Sequence, residues 1–227
     1  MKLAIVIVSY NVRELLAACL RSVFASLSRP RGLPVDCQVH RLSAGLGSPA
    51  GANCGAPSLA RSPELVAEVW VVDNASGDGS AAMVSEQFPQ VKLFASKENL
   101  GFAGGNNAAL QALGFKSKIQ SAKSKDATRN TQHVSRFRPH ALPDLVLLLN
   151  PDTEVLDEAV GRMAGFLAQH PRVGGVGAQL QYPDGRFQHG AFSFPGLLQL
   201  WFDFFPPRPR RLLDSRLNGR YPRRCYE

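Results

Sequence analysis

Residues 3–11 read Leu3-Ala4-Ile5-Val6-Ile7-Val8-Ser9-Tyr10-Asn11, an unbroken apolar run that passes at once into polar residues. A strand with one wet face alternates, so a continuous run rich in β-branched residues reads as a strand covered on both faces, as in a parallel sheet. The same pattern recurs three times. Residues 68–73 lead into Asp73-Asn74-Ala75-Ser76, residues 91–95 precede Asn99-Leu100-Gly101-Phe102, and residues 145–149 run into Asn150-Pro151-Asp152-Thr153. Between these runs the period changes to that of helices. Leu16, Leu20, Val23, Phe24 and Leu27 share one helical stripe after Asn11, which with Glu14 has the spacing of a capping box. Further helices are expected over 80–88 before Pro89, over 103–113 up to Gly114, and over 158–169 before Pro171. Strands alternating with helices imply right-handed crossovers and an α/β fold, a Rossmann-like, mostly parallel sheet flanked by helices. Such sheets bind ligands beyond the carboxyl ends of their strands, so the four polar sequences are expected to line one crevice.

Two stretches break the rhythm. Residues 28–66 are rich in Pro, Gly, Ala, Ser and Arg without periodicity, and residues 115–143 are basic and polar. Connections of this length are uncommon inside compact domains, and both are expected to be disordered surface insertions.

The 227 residues, 44% hydrophobic and 19% charged, suffice for a full core. The opening apolar run is short and lacks a small-residue cleavage site, and no stretch approaches the roughly 18 to 20 apolar residues of a membrane span. A cytoplasmic protein, or one peripheral at the inner face of the membrane, is expected. Cys19, Cys37, Cys54 and Cys225 match no metal or redox spacing and read as free thiols. The histidines are scattered and suggest no ligand set. The net charge of +8 is unevenly placed: residues 116–138 and 208–224 each carry +6, which leaves the rest of the chain at −4. Basicity confined to a loop and a tail argues for no nucleic acid as partner. The rival nucleic-acid reading predicts steeply salt-dependent DNA binding that vanishes with those two segments.

The residue types of the crevice suit a nucleoside diphosphate sugar. Tyr10 offers an aromatic face for a base, and Asp73 a carboxylate for an imide N–H or a ribose hydroxyl. Gly101, Gly104 and Gly105 at a helix start permit close approach of phosphate, with Asn106 and Asn107 beside them. Asp152 is a hard oxygen ligand of the kind that Mg²⁺ or Mn²⁺ uses alongside substrate phosphates. Taken singly, Asp73-Asn74-Ala75-Ser76 with Gly77-Asp78-Gly79 is also the sequence of a turn and a helix cap, and Asn150-Pro151-Asp152-Thr153 that of an Asx turn. Their occurrence in order, each after a strand, is the specific signal.

Val8-Ser9-Tyr10-Asn11, Val71-Val72-Asp73-Asn74-Ala75-Ser76 with Gly77-Asp78-Gly79-Ser80, Asn99-Leu100-Gly101-Phe102-Ala103-Gly104-Gly105-Asn106-Asn107 and Leu148-Leu149-Asn150-Pro151-Asp152-Thr153 together resemble glycosyltransferase family 2, in its bacterial rhamnosyltransferase-like subgroup. The resemblance covers about residues 1–27, 67–114 and 144–190. It implies a GT-A fold, a nucleotide-sugar donor such as dTDP-rhamnose, a divalent metal, and inverting transfer to a hydroxyl of a glycan or lipid-linked acceptor in cell-wall or polysaccharide synthesis. By that likeness Ser9, Tyr10, Asn11, Asp73, Asn74, Ser76, Asn99, Gly101, Phe102, Gly105, Asn106 and Asn150 bind the nucleotide sugar, with Tyr10 and Asp73 on the base, and Asp152 ligates the metal. Residues 1–190 are then the donor-binding GT-A domain, and residues 191–227, aromatic and then Arg-rich, begin an acceptor-side region. The family's catalytic base is expected beyond Glu227, so none is named; Asp184, in an expected hairpin turn, and Asp203, among aromatics, read as structural. The alternative from another class is a non-catalytic nucleotide-sugar-binding remnant. Phe192, Phe194, Leu197, Leu198, Leu200, Trp201, Phe202, Phe204 and Phe205 beside the Arg-rich tail suit either contact with an anionic membrane or packing against further chain.

Overall fold

A computed structural model describes residues 1–28, 65–115, 142–190 and 196–205. The chain divides into two compact units, Met1–Arg31 with Ser62–Ala168, and Gly32–Arg61 with Gln169–Glu227. The first unit carries strands β1 (Lys2–Ser9), β2 (Val66–Asp73), β3 (Lys92–Ala95) and β4 (Leu145–Leu149), and helices α1 (Arg13–Ser28), α2 (Ser80–Gln87), α3 (Gly101–Ala112) and all but the last residue of α4 (Ala159–Gln169). All four strands are parallel, in the order β3-β2-β1-β4. Chain order therefore reverses between β1 and β4, the switch point at which an open α/β sheet leaves a crevice.

The unbroken apolar character of β1 follows from its place between β2 and β4. Leu3, Ile5 and Ile7, with Val69 and Val71 of β2, pack against Leu16, Leu20 and Val23 of α1, Met83 and Val84 of α2 and Val160 of α4. The alternate residues Ala4, Val6 and Val8, with Trp70 and Val72, meet Ala109, Ala112 and Leu113 at the end of α3 on the opposite face. Two cores on one sheet give the doubly covered α/β layer that the sequence implies. β4 is less enclosed, and Leu148 is half exposed.

The segments expected to be insertions lie almost wholly outside the described residues. Their inner boundaries are firmer than expected, since Ser28 closes α1 and Val66 opens β2. Both leave from the end of a helix and return at the start of a strand, on the amino-terminal edge of the sheet. That edge is tied to β1: the Val66 N–H donates to Met1 O at 2.9 Å, the Lys2 N–H to Asp144 Oδ2 at 2.7 Å, and the Asp144 N–H to Lys2 O at 2.9 Å.

In the second unit, β5 (Leu180–Gln181) and β6 (Phe187–Gln188) form an antiparallel hairpin. Gly185 at φ 79° closes its turn, with the Gly185 N–H on Tyr182 O at 2.8 Å. Asp184 accepts from the Arg186 N–H at 3.0 Å and from Arg186 Nε at 2.6 Å, which makes it a turn residue as the sequence suggests. A helix α5 (Leu197–Phe204) follows, exposing Leu197, Trp201 and Phe204. Among the described residues, no helix is long and apolar enough to cross a membrane.

Candidate functional site

The carboxyl ends of β1 and β2 lie side by side, with Ser9 in register with Asp73. The ladder runs one step past the strands, the Asn74 N–H donating to Ser9 O and the Ser96 N–H to Asp73 O, both at 2.8 Å. This draws the loop after β3 against the loops after β1 and β2. Ser9, Asp73 and Asn74 are all at most 3% exposed. Asp73 Oδ2 accepts from the Ser76 N–H at 3.1 Å, and Asn74 Nδ2 donates to Gly101 O at 3.2 Å. Ser9 Oγ, Asp73 Oδ1 and Asn74 Oδ1, by contrast, are buried without a hydrogen-bond partner among the described residues. Each such atom costs on the order of 1–3 kcal/mol, so three at one point of the sheet make a candidate site whose partners lie outside the described residues. Two are acceptors and one a hydroxyl, so the missing chemistry is hydrogen-bond donation.

The loops around these atoms are bonded to each other. The Asn11 N–H donates to Ser76 Oγ at 3.0 Å, the Gly77 N–H to Asn11 Oδ1 at 2.9 Å and the Arg13 N–H to Asp78 Oδ2 at 2.9 Å. Asp78 Oδ1 also takes the Ser80 N–H at 3.0 Å and the Ser80 hydroxyl at 2.5 Å. The Ser80 hydroxyl, helped by the Arg13 and Ser80 N–H groups, holds the Asp78 carboxyl below its usual value of 3.8. A depressed carboxylate contributes stability at pH above 3.8 that is lost as pH falls through its lowered folded value. The capping box expected from Asn11 and Glu14 is not what forms. Asn11 Oδ1 is taken by Gly77, Glu14 is exposed 3.9 Å from Arg13, and the first turn of α1 is capped from the β2 loop by Asp78. A capping box is a local rule, and this cap comes from 65 residues away.

Asn99 Oδ1 accepts from the Gly101 N–H at 2.8 Å and so shapes the start of α3. Gly101 stands at φ 69° with open space around its Cα, and Tyr10 and Phe102 present aromatic rings that are 50% and 61% exposed. Gly105 and Asn106 are placed otherwise than the sequence suggests. A Cβ on Gly105 would lie 2.7 Å from Val8 Cγ1 and 3.4 Å from Asn74 Nδ2, so this glycine lets α3 close onto β1 rather than letting a ligand approach. Asn106 is buried, and its Nδ2 donates to Phe102 O of its own helix at 2.9 Å.

On the other side of β1, Asn150 and Asp152 are exposed on the loop after β4. α1 supports this loop from below: the Cys19 thiol approaches Asn150 O at 3.6 Å and Ser22 Oγ accepts from the Val155 N–H at 2.9 Å. Burial pushes the Cys19 thiol up to about 11, with Asp152 and Glu154 adding to the rise against a Thr153 hydrogen bond. Cys19 is the supporting residue that sequence reading leaves unassigned, and its position inside the α1 stripe is the signal for it. Among the described residues no three His, Cys, Asp or Glu side chains converge to cage an ion. One carboxylate, Asp152, beside the amide of Asn150 fits a divalent ion that shares its coordination with a ligand's phosphates and water.

Residues 57–114, which include β2, α2, β3 and α3, match the family model for glycosyl transferase family 2. Over 142 residues the chain is 25% identical to the N-acetylglucosaminyl-diphospho-decaprenol L-rhamnosyltransferase of two Mycobacterium tuberculosis strains, CDC 1551 / Oshkosh and ATCC 25618 / H37Rv. That match covers 63% of this chain and 41% of the relative, so the chain spans about two fifths of the curated relatives it matches. Among solved structures, S. aureus TarS 1-349 in complex with UDP aligns with 82% of this chain and 43% of its own at 17% identity and a TM-score of 0.42. The mannosyltransferase PcManGT from Pyrobaculum calidifontis in complex with GDP-Man and Mn²⁺ aligns with 80% of this chain and 36% of its own, at 18% identity and the same TM-score of 0.42. The sequence matches thus make residues 57–114 similar to glycosyl transferase family 2, and 142 residues of the chain similar to a rhamnosyltransferase.

Proposed function

We propose that this chain holds the donor site of an inverting glycosyltransferase, which takes a sugar from a nucleoside diphosphate, dTDP-rhamnose being the candidate, to a hydroxyl of a lipid-linked glycan. The observation that carries this reading is the group of unpartnered atoms Ser9 Oγ, Asp73 Oδ1 and Asn74 Oδ1 at the carboxyl ends of β1 and β2. A pyrimidine imide N–H or ribose hydroxyls supply the donors that these atoms lack. Tyr10 stacks on the base, and the open backbone at Gly101 with Phe102 flanks the pyrophosphate at the start of α3. Asp152, with Asn150, would hold Mg²⁺ or Mn²⁺, whose contribution when bound would be to stabilise the charge of the leaving group. Inversion requires a base opposite that leaving group, and we assign it to none of the described carboxylates.

The name of the sequence relatives, which contains diphospho-decaprenol, supports a lipid-linked acceptor. With such an acceptor we propose peripheral contact with a membrane, at its cytoplasmic face. The exposed Leu197, Trp201 and Phe204 of α5, followed by the Arg-rich residues 208–224, suit an anionic lipid interface. Trp70 is buried, so a blue shift of tryptophan fluorescence on adding phosphatidylglycerol vesicles at low salt reports Trp201. An unchanged spectrum ends the membrane part of the proposal.

The donor reading is tested by calorimetric titration of dTDP, UDP and GDP with and without Mn²⁺. Binding of one nucleotide, tighter with the metal, is expected. Folded protein that binds none of them overturns the donor reading, whereas binding without turnover of donor and lipid-linked acceptor favours the non-catalytic nucleotide-sugar-binding alternative.

A further inference from the structure

We propose that Asn11, Ser76 and Asp78 are positioning residues, a clasp that joins the loops after β1 and β2 and sets the geometry of Tyr10 and Asp73 without touching the nucleotide. The inference rests on the nucleotide reading of the site. Its basis is where the polar groups of these residues are spent. Asn11 uses its N–H on Ser76 Oγ and its Oδ1 on the Gly77 N–H, so its acceptor is occupied by the neighbouring loop. Ser76 faces both ways: its hydroxyl accepts from Asn11 while its N–H donates to Asp73 Oδ2. That second bond fixes which oxygen of Asp73 stays unpartnered, and so the direction from which a donor reaches it. Asp78 divides its oxygens between the first turns of α1 and α2, one to the Arg13 N–H and one to the Ser80 N–H and hydroxyl. Both loops carry a non-glycine residue in the left-handed region, Asn11 at φ 53° and Ala75 at φ 61°. Such conformations persist where surrounding bonds over-determine them, and here those bonds run between loops some 65 residues apart. Tyr10 adjoins the clasp on one side and Asp73 on the other, so their separation is the quantity it controls.

Asn11 also allows contact and clasp to be told apart. Asn11→Asp keeps the acceptor oxygen and a side chain that tolerates positive φ, and Asn11→Gly keeps only the backbone freedom. The experiment compares these with Asp78→Asn and wild type, by titration of dTDP, UDP and GDP and by amide hydrogen exchange at Arg13 and Gly77 in the free protein. Wild type binds one nucleotide, Asn11→Asp within about twofold of it, and Asn11→Gly and Asp78→Asn about tenfold more weakly, the effect of one lost hydrogen bond. Exchange speeds up at Gly77 in Asn11→Gly and at Arg13 in Asp78→Asn. If Asn11→Asp binds as weakly as Asn11→Gly, the Asn11 amide touches the ligand and the clasp assignment is wrong. Wild-type affinity in Asn11→Gly overturns it as well. A wild-type protein that binds no nucleotide defeats the site reading on which the proposal rests, whereas unchanged exchange in both variants defeats the clasp itself.

Discussion

The two sides of the crevice are built differently. On the β1–β2 side, Ser9, Asp73 and Asn74 are buried, and the loops are bonded to each other and to the start of α3. On the β4 side, Asn150 and Asp152 are exposed, and their loop is held from beneath by Cys19 and Ser22 of α1. The physical reason lies in the strand order. β2 is flanked by β1 and β3, so the ends of three consecutive strands support one another, whereas β4 touches only β1 among the described strands. On the proposed nucleotide reading, a buried and cross-bonded wall suits discrimination between planar bases, since an unpaired buried acceptor rejects a ligand that lacks the donor. An exposed carboxylate suits an ion that arrives with phosphates and water.

The largest effect should come from breaking the packing under the buried wall. Gly105→Ala drives a Cβ into Val8, a buried β-branched residue that yields little, and is expected to cost about 1–3 kcal/mol in thermal or denaturant unfolding together with most of the nucleotide affinity. Asp73→Asn should separate binding from folding. The substituted amide retains an acceptor for the Ser76 N–H but offers N–H₂ where an acceptor is required, so affinity falls about tenfold or more while the melting temperature holds. On the open wall, Asp152→Ala is expected to leave stability unchanged and to remove only the increment in affinity that Mn²⁺ adds, about severalfold for one exposed ligand; loss of metal-free binding in this variant would mean the two walls are not independent. The smallest signal belongs to Cys19. With its thiol raised to about 11, only about 0.1% is thiolate at pH 8, and peptide mapping after iodoacetamide should find it unmodified. The stability gained by keeping that thiol protonated is complete below pH 9 and is lost as pH rises through 11.

Much of this was legible in the residues. The covered strand at residues 3–8 and its three repeats predicted four parallel strands whose polar sequels lie at one edge of the sheet, and the helical stripes lie within a few residues of α1 to α4. What escaped were partners remote in sequence. Asn11 with Glu14 satisfies a local capping rule, and nothing local shows that Asp78 reaches α1 first. Gly105 carries no side chain to say whether its space is for a ligand or for Val8. Residues 197–204 are apolar on nearly every side, so no period marks them as α5. The Pro183-Asp184-Gly185 turn, by contrast, was visible because its chemistry is confined to consecutive residues.

The two long stretches of chain outside the described residues enter and leave at the amino-terminal edge of the sheet, where Val66 and Asp144 are tied to the first residues of β1. Val66 and Asp144 are both exposed there, at the far end of the sheet from Tyr10 and Asp73. For an engineer these are two defined handles: a spectroscopic label at Val66 or Asp144 would stand a full strand length from Tyr10 and Asp73, and would read the amino-terminal edge of the sheet separately from the candidate site.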